Sequence, residues 1–178
     1  MKLRIIIIAI VASFILVACN NASTNEENSN ESQEAEDIKQ LVHDYSIGKA
    51  NDESASITSK HLIITDGDQE ETILDLPKDE FFVSIAPFIN ETHPCTNHSL
   101  TGCQGEMVEQ TFDVYIEDLD GKVVIDETMQ SLENGFIDLW LPRDQTFRVK
   151  ITHEGKEVES EISTFESDGT CITTMQLS

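Results

Sequence analysis

The sequence predicts a mainly β protein, with an antiparallel β-sandwich-like C-terminal domain and a small N-terminal α+β domain before it. Three observations support this prediction. Segments that alternate apolar and polar residues recur about every ten residues from residue 79 onward, with turn residues between them. One stretch of helical periodicity lies at residues 37–47. Between the two, residues 60–77 hold two short apolar runs around an acidic turn.

Residues 37–78 form the predicted α+β domain. In its helix the apolar side chains fall on one stripe, at i, i+3, i+4 and i+7: Ile38, Leu41, Val42 and Tyr45. Gly48 is expected to end this helix. Two strands within residues 60–77 flank the turn Asp66-Gly67-Asp68. Because this domain has few core residues for its length, we expect it to pack on a neighbour or on a second copy.

Residues 79–178 form the predicted β-rich, metal-binding domain. It opens with a buried strand at residues 80–89, closed by Pro87, and a polar loop follows at residues 90–106. Trp140 and Phe147 are predicted core residues. Further strands are predicted at residues 111–118, 122–128, 135–142, 146–153, 156–164 and 171–178.

The N-terminus is predicted to be a lipoprotein signal peptide, residues 1–18. Lys2 and Arg4 precede the apolar run Ile5–Ala18, which as a helix spans only ~21 Å, less than the ~30 Å of a bilayer's hydrocarbon core. The run is therefore typical of a secretory signal rather than a membrane span. It ends in Leu16-Val17-Ala18-Cys19, which resembles the bacterial lipobox and implies a diacylglycerol on Cys19. The alternative is ordinary signal cleavage beside a chance cysteine.

Residues 19–36 are predicted to be a flexible tether. Asn, Ser and Glu dominate this segment, and it contains no aromatic or large aliphatic residue whose burial could offset the entropy cost of ordering. The mature protein is accordingly expected outside the cytoplasm, lipid-anchored to the bacterial cell membrane, in an oxidising compartment.

The charge of the chain excludes one class of partner. Eleven Lys and Arg face 34 Asp and Glu, so the formal net charge is −23. Nucleic-acid binding through basic phosphate contacts is therefore excluded, since a polyanion would repel the chain. A polybasic membrane patch is likewise disfavoured. We expect contact with the membrane through the lipid anchor.

The chemically densest stretch is residues 93–107. It holds two thiols, two imidazoles and a thioether: Cys95, Cys103, His93, His98 and Met107. A third mature cysteine, Cys171, begins the last predicted strand, and Met175 shares its face by the strand period of two. Sulfur and imidazole are ligands that suit Cu(I) or Zn(II) rather than Ca(II) or Mg(II). Pairing two of three mature cysteines also leaves one thiol over.

These residues allow several ligand sets. Thiolates of Cys95, Cys103 and Cys171 would hold Cu(I) in a trigonal set. Two thiolates with an imidazole or a thioether would serve as well, and the candidates for this additional shell are His93, His98, Met107 and Met175. Zinc prefers four ligands, which the three cysteines and His98 would supply. The alternative without metal is a Cys95–Cys103 disulfide with Cys171 buried.

Little in the sequence points to catalysis, and no catalytic residue is predicted. A Cys–His pair within residues 93–103 would make a thiol nucleophile, although the chain has no Cys-x-x-Cys pair. Three functions therefore compete: a membrane-anchored copper-binding protein, a disulfide-closed β-sandwich lipoprotein with an adhesion or envelope role, and a thiol oxidoreductase.

Three segments of the chain carry a resemblance to a known family. HPCTNHSLTGCQGEM (93–107), DLPKDEFFVSIAPFI (75–89) and TCITTMQL (170–177) are similar to CueP-type periplasmic copper-binding proteins. The similarity runs from about residue 37 to the end of the chain. It implies copper binding for copper tolerance or for delivery to an exported client protein, with Cys95, Cys103 and Cys171 as the metal-site thiols.

The resemblance also implies a two-part fold, with a small N-terminal α/β unit and a β-rich C-terminal unit, and a homodimer. The predicted lipid anchor on Cys19 is a departure from the freely diffusing proteins of this type. It favours a membrane-tethered role over soluble copper shuttling.

Overall fold

The computed structural model of the chain describes residues 22–50 and 53–178, with side chains from Ser32 onward. In this part of the chain one helix precedes eleven strands. Helix α1 is Ala22–Ser46. The strands are β1 Ser54–Ile57, β2 His61–Thr65, β3 Glu71–Asp75, β4 Glu80–Ile85, β5 His98–Ser99, β6 Thr111–Asp118, β7 Val123–Gln130, β8 Ile137–Pro142, β9 Thr146–His153, β10 Lys156–Ser163 and β11 Cys171–Ile172.

The strands form three sheets. One sheet has the order β10-β9-β6-β7 and another the order β11-β4-β8, and these two belong to the C-terminal half. The third sheet has the order β3-β2-β1-β5. All pairings between these strands are antiparallel except that of β11 with β4, which is parallel. The structure thus confirms a mainly β fold built largely from antiparallel sheets with one short helical region.

The main core lies between the two C-terminal sheets. Alternate residues of β4, namely Phe81, Val83 and Ile85, point into it and are buried to 1% exposure or less. The inner residues of β6 and β9 meet them there: Phe112, Val114, Ile116, Phe147, Val149 and Ile151. Phe147 is therefore a core residue, as predicted. This facing arrangement is the expected sandwich, because each sheet buries the apolar face that its period of two creates.

A second core lies on the opposite face of the β11-β4-β8 sheet. Phe82 points to this side and packs with Val42 and Tyr45 of α1, which belong to the predicted apolar stripe. Trp140 is half-buried and packs against the same cluster. The N-terminal unit is therefore packed on the C-terminal unit, which offsets the small core that its own residues provide.

The N-terminal sheet also takes a strand from the cysteine-containing loop. The strands predicted within residues 60–77 are present as β2 and β3, and β1 is an additional strand that the sequence did not predict. β5 pairs with the edge of β1 in the register Ser56↔Ser99 and Ile57↔His98. Residues 98–99 follow the predicted boundary between residues 78 and 79 in the sequence, but they form a strand of the N-terminal sheet.

The helix differs from its prediction in where it begins. It starts at Ala22 rather than at Asp37, and so includes most of the segment predicted to be a flexible tether. Glu, Gln and Ala are good helix formers, and a helix propagates at little cost once its C-terminal half is docked on a core. The predicted signal peptide, residues 1–18, and Cys19 lie outside the described residues. Within the described residues, no helix is both long and apolar enough to cross a membrane.

Candidate metal centre

The cysteine-containing loop is held together at its two ends. The Glu106 carboxylate accepts hydrogen bonds from the backbone N–H groups of Ile89 (2.6 Å) and Asn90 (2.9 Å) and from the Asn90 side-chain amide (2.8 Å). The backbone N–H groups of Asn90 and Ile89 are the main reason why the pKa of Glu106 falls to about 2. An ionised Glu106 thus fixes the exit of the loop to its entry.

A close backbone contact joins the loop to the turn that precedes β8. Gly105 donates its N–H to the carbonyl oxygen of Asn134 at 2.7 Å, and it packs directly on Gly135. A Cβ atom on Gly135 would lie 2.6 Å from the Gly105 carbonyl oxygen, which is closer than real contacts allow. Two facing glycines are therefore needed for the loop to approach the turn before β8 this closely.

The last strand crosses the loop and brings Cys171 to it. In β11 Cys171 lies beside Ser84 of β4, and its N–H donates to the Thr96 carbonyl oxygen at 3.0 Å. Further along, the Thr92 hydroxyl donates to the Thr173 carbonyl oxygen at 2.7 Å. The chain on both sides of Cys95 is thus tied to the C-terminal segment, although the two are more than seventy residues apart in sequence.

These constraints assemble a cluster of four donor groups. One donor atom from each of His93, Cys95, Cys103 and Cys171 lies within 4.8 Å of all the others. Cys171 is buried and the other three are half-buried. The Sγ atoms of Cys95 and Cys103 are 3.6 Å apart. All three predicted metal-site thiols are therefore brought together, with one of the two candidate histidines of the loop.

The disulfide pairing differs from the alternative considered from the sequence. Cys95 is bonded to Cys171, with their Cα atoms 5.7 Å apart, and Cys103 is the free thiol among the described cysteines. Cys103 Sγ instead accepts the N–H of Ser99 at 3.4 Å. The Cys95–Cys103 pairing is wrong for this state because β11 places Cys171 against Cys95, and no periodicity within the loop reveals that contact.

One side of the cluster is apolar. Ala86 and Phe136 are buried with Cys171, and Cys95 and Cys103 pack against them. The ring of Phe136 also faces His93, with centroids 6.3 Å apart. Phe136 was not singled out from the sequence, since a lone aromatic residue before a strand carries no signal of a site. Ala86 and Phe136 thus form an apolar wall that keeps water from one face of the thiols.

His98 lies beside this wall but outside the cluster of four. Its side chain is fully buried, with its ring centroid 4.4 Å from that of Phe136, and neither ring nitrogen has a hydrogen-bond partner among the described residues. Burial, assisted by the charge of nearby His93, lowers the pKa of His98 to about 4. His93, not His98, therefore stands where a fourth ligand of a tetrahedral zinc set would be.

The two candidate thioether ligands are core residues in the structure. Met107 and Met175 are 6% and 0% exposed, and both belong to the main core between the C-terminal sheets. Cys171 and Met175 are both buried, as the period of two predicts, but β11 ends at Ile172 and they enter different clusters. An unbranched thioether fills an irregular apolar core well, which explains both positions.

The donor set defines the chemistry that the cluster can perform. Three sulfur atoms and an imidazole nitrogen suit a soft or borderline metal ion, such as Cu(I) or Zn(II), and no carboxylate of the described residues joins them. With Cys95 and Cys171 in a disulfide, the thiol of Cys103 and the imidazole of His93 are the groups free to bind. A full set of three thiolates requires reduction of that disulfide.

Comparison with known proteins agrees with this fold. A β-sandwich that presents three cysteines and a histidine from a loop and its last strand is a candidate soft-metal-binding protein. The family model described as periplasmic copper-binding protein CueP matches residues 37–176. The chain therefore belongs to the CueP family. Copper binding and a location outside the cytoplasm are supported at the level of that family.

A solved structure shares the architecture. The crystal structure of S.CueP superposes with a TM-score of 0.75 at 39% sequence identity, covering 79% of this chain and 88% of that one. No curated protein matches the chain.

Proposed function

We propose that this chain binds Cu(I) through the thiolates of Cys95, Cys103 and Cys171, outside the cytoplasmic membrane, for copper tolerance or for delivery to an exported client. The observation that carries the proposal is the convergence of these three thiols and His93 within 4.8 Å. Reduced thiolates favour Cu(I) over harder ions, and a trigonal sulfur set satisfies it. Zinc is the less favoured occupant, since the family is one of copper-binding proteins.

Partial exposure of the cluster suits transfer of the ion. Cys95, Cys103 and His93 are half-buried, whereas Cys171 is buried. A thiol from a client can therefore approach from the exposed side and exchange for one ligand at a time. A fully enclosed four-coordinate site would retain its ion instead.

The redox state of the thiols controls access to the site. The Cys103 thiolate can attack Cys95 Sγ, which is 3.6 Å away, so that a Cys95–Cys103 bond forms and Cys171 leaves as a thiolate. This exchange neither gains nor loses electrons. Reduction to three thiols needs two electrons and two protons from an external dithiol. The same contact supports the second candidate function, a thiol oxidoreductase, in which a reduced pair of these thiols would pass two electrons and two protons to the disulfide of a substrate, becoming a disulfide itself, and copper would have no part.

We further propose that a lipid on Cys19 holds the protein at the membrane. The helical segment at residues 22–36 would then be a spacer between the lipid and the folded body, at about 1.5 Å of rise per residue. The domain division, residues 19–36 as connector, 37–78 and 79–178, is part of this proposal, as is assembly into a homodimer.

An anaerobic titration of the reduced protein with Cu(I), against a competing chromogenic chelator, tests the proposal. We expect one tight equivalent per chain, and a loss of at least about tenfold in affinity in Cys171→Ser, because one of three thiolates is removed. Cys19→Ser is the matched control, since it removes the predicted lipid-bearing cysteine and leaves the three proposed ligand thiols in place. It should bind copper normally but leave the membrane fraction. X-ray absorption should count about three sulfur neighbours in the wild-type protein.

Four outcomes would contradict the proposal. Unchanged Cu(I) affinity in Cys171→Ser would remove this thiol from the site. Tight binding of Zn(II) but not Cu(I) would establish the other metal. Turnover of a disulfide substrate without copper, combined with weak Cu(I) binding, would establish the oxidoreductase. If neither metal binds and no turnover is measured, the adhesion or envelope role is favoured.

A further inference from the structure

The residue before Cys171 occupies a junction between three parts of the fold. Thr170 is fully buried. Its hydroxyl accepts the backbone N–H of His98 at 2.9 Å and donates to the carbonyl oxygen of Ile57 at 2.7 Å. One side chain therefore joins the end of β1, in the N-terminal unit, to β5 in the cysteine-containing loop and to the start of β11.

The backbone on both sides of this hydroxyl is fixed as well. The Thr170 carbonyl oxygen accepts the N–H of Ser84 at 2.8 Å, and the next N–H, that of Cys171, donates to Thr96 at 3.0 Å. Just before it, Gly169 packs on Thr96 so closely that a Cβ atom there would lie 2.5 Å from the Thr96 carbonyl oxygen. The peptide units that carry Cys171 thus have little freedom to shift relative to the loop.

Thr170 is linked to all three metal-site thiols, to one through the chain and to the other two through a hydrogen bond. Cys171 is the following residue, and His98, whose N–H the hydroxyl holds, lies between Cys95 and Cys103 in the sequence. The hydroxyl contact is therefore a short path, outside the thiols themselves, between the chain that carries Cys171 and the segment that carries the other two. Reduction of the Cys95–Cys171 disulfide breaks no bond of this path, because the path involves no sulfur.

We propose that Thr170 is a positioning residue that sets the separation of the three thiols in the reduced protein, and that it makes Cu(I) affinity depend on the docked N-terminal unit. This inference rests on the proposed function. Thr170 touches no metal ligand through its side chain in the described hydrogen bonds. It acts by fixing the backbone of β5 relative to that of β11. At other metal sites, residues that orient the ligands act in a similar way, and their mutation weakens metal binding about 10–100-fold.

Another threonine in the chain provides a matched control. Thr164 is also fully buried, and its hydroxyl accepts the N–H of Gln145 (3.2 Å) and donates to the carbonyl oxygen of Pro142 (2.8 Å). Its hydrogen bonds join the chain after β10 to the last residue of β8 and to Gln145 in the turn before β9, and neither partner belongs to the cysteine cluster. Removing this hydroxyl removes the same two kinds of hydrogen bond without touching the site.

The experiment compares Thr170→Val, Thr170→Ser and Thr164→Val, all reduced and anaerobic. Cu(I) affinity is measured by chelator competition and the sulfur count by X-ray absorption, with urea unfolding as the measure of stability. We expect both valine variants to lose stability. Thr170→Val alone should lose about tenfold in affinity and show fewer than three sulfur neighbours, whereas Thr170→Ser should bind within about threefold of the wild-type protein because it keeps both hydrogen bonds.

The results separate this inference from the function on which it rests. Wild-type affinity in Thr170→Val, or an equal loss in Thr164→Val, would overturn the positioning role, while Cys171→Ser still reports on the site itself. If Cys171→Ser also binds as the wild type does, the proposed function fails first. Should Thr170→Val not fold, Thr170→Ala and Thr170→Ser form a pair that differs by the hydroxyl alone. Equal affinity in that pair would overturn the proposal.

Discussion

At the scale of single residues, Asp138 places a carboxyl group where α1 meets the β11-β4-β8 sheet. Ser46, the last residue of the helix, and Ser84 of β4 each donate a hydroxyl hydrogen bond to it at 2.6 Å. Desolvation by burial nevertheless raises the pKa of Asp138 above its ordinary value, and the two hydroxyls and His43 only partly oppose this effect. The carboxyl group thus holds its proton more tightly in the folded chain than in the unfolded one.

This shift predicts the pH dependence of Asp138→Asn. Because the folded pKa is raised, the stability that the protonated group contributes is lost as pH rises from its unfolded pKa of 3.8 through the folded value. The amide of Asn keeps the shape and pairs with both serines, accepting from one hydroxyl and donating to the other, but does not ionise. The free energy of unfolding of Asp138→Asn relative to the wild type should therefore increase with pH, by at most about 1.4 kcal/mol per pH unit.

Urea unfolding of both proteins at a series of pH values above the unfolded pKa of 3.8 measures this difference. A difference that stays flat, or decreases with rising pH, would show that the carboxyl group is not destabilised by burial in the folded state.

At the scale of elements, the cysteine-containing loop depends on the contact between Gly105 and Gly135. Gly135 has a φ of +79° as well as no room for a Cβ atom. Gly121, in the turn between β6 and β7, has a similar φ of +83° but nothing within 4 Å of a Cβ position. The two glycines therefore share a conformational requirement, and only Gly135 is also crowded.

We predict that Gly135→Ala is more destabilising than Gly121→Ala. Strain from a left-handed conformation should cost each variant about 1 kcal/mol. Gly135→Ala adds a backbone clash of the kind that costs a further 1–3 kcal/mol or so in an overpacked site. It should also weaken Cu(I) binding, because Gly105 lies two residues from Cys103. Equal unfolding midpoints in urea for the two variants would contradict the close contact.

At the scale of the whole molecule, the Cys95–Cys171 disulfide joins residues 76 apart in sequence. A loop of this length restricts the unfolded chain, and closure is worth about 4 kcal/mol in the chain-entropy account. Metal bound to the reduced site would replace part of this stabilisation, since a ligand that binds only the folded state at about 100 times its Kd adds about 2.7 kcal/mol.

Anaerobic urea unfolding should therefore give three levels of stability. The oxidised protein is expected to be the most stable, the reduced metal-free protein the least, and the reduced protein with Cu(I) between them or equal to the oxidised one. Cys103→Ser is the control, because it keeps the disulfide and so should retain oxidised stability, yet gain less from Cu(I) when reduced. No stabilisation of the reduced wild-type protein by Cu(I) would contradict binding at this cluster.

Elements of the fold were predictable from the sequence where their pattern lies within a short segment of the chain. The hairpins β2–β3 and β6–β7 and the strand β9 were predicted because alternation and turn residues lie in the same short segments. β1, Ser-Ala-Ser-Ile, was missed because small residues carry little strand preference. The helix start at Ala22 was missed because propagation from a docked half extends a helix without any apolar periodicity.

The ligand set was predictable in kind but not in arrangement. Cys95 and Cys103 were candidates because sulfur and imidazole crowded into one loop are chemically unusual. Cys171 joined them as the third mature cysteine and through the resemblance to CueP-type proteins, and the structure brings all three together. The choice of His93 over His98 depends on a two-residue strand, β5, that buries His98 against Phe136. The placement of Met107 and Met175 in the core likewise follows from packing that thioethers and aliphatic residues share.

By itself, the sequence determined the fold class, the main strands and the chemical nature of the site. Apolar periodicity, turn residues and side-chain chemistry can each be recognised within a short segment of the chain. Only the tertiary structure decided which thiols meet. The pairing of Cys95 with Cys171 and the role of Thr170 arise where β11 crosses a loop more than seventy residues earlier. Such contacts depend on the register between distant segments, and register is set by the packing of the whole sheet.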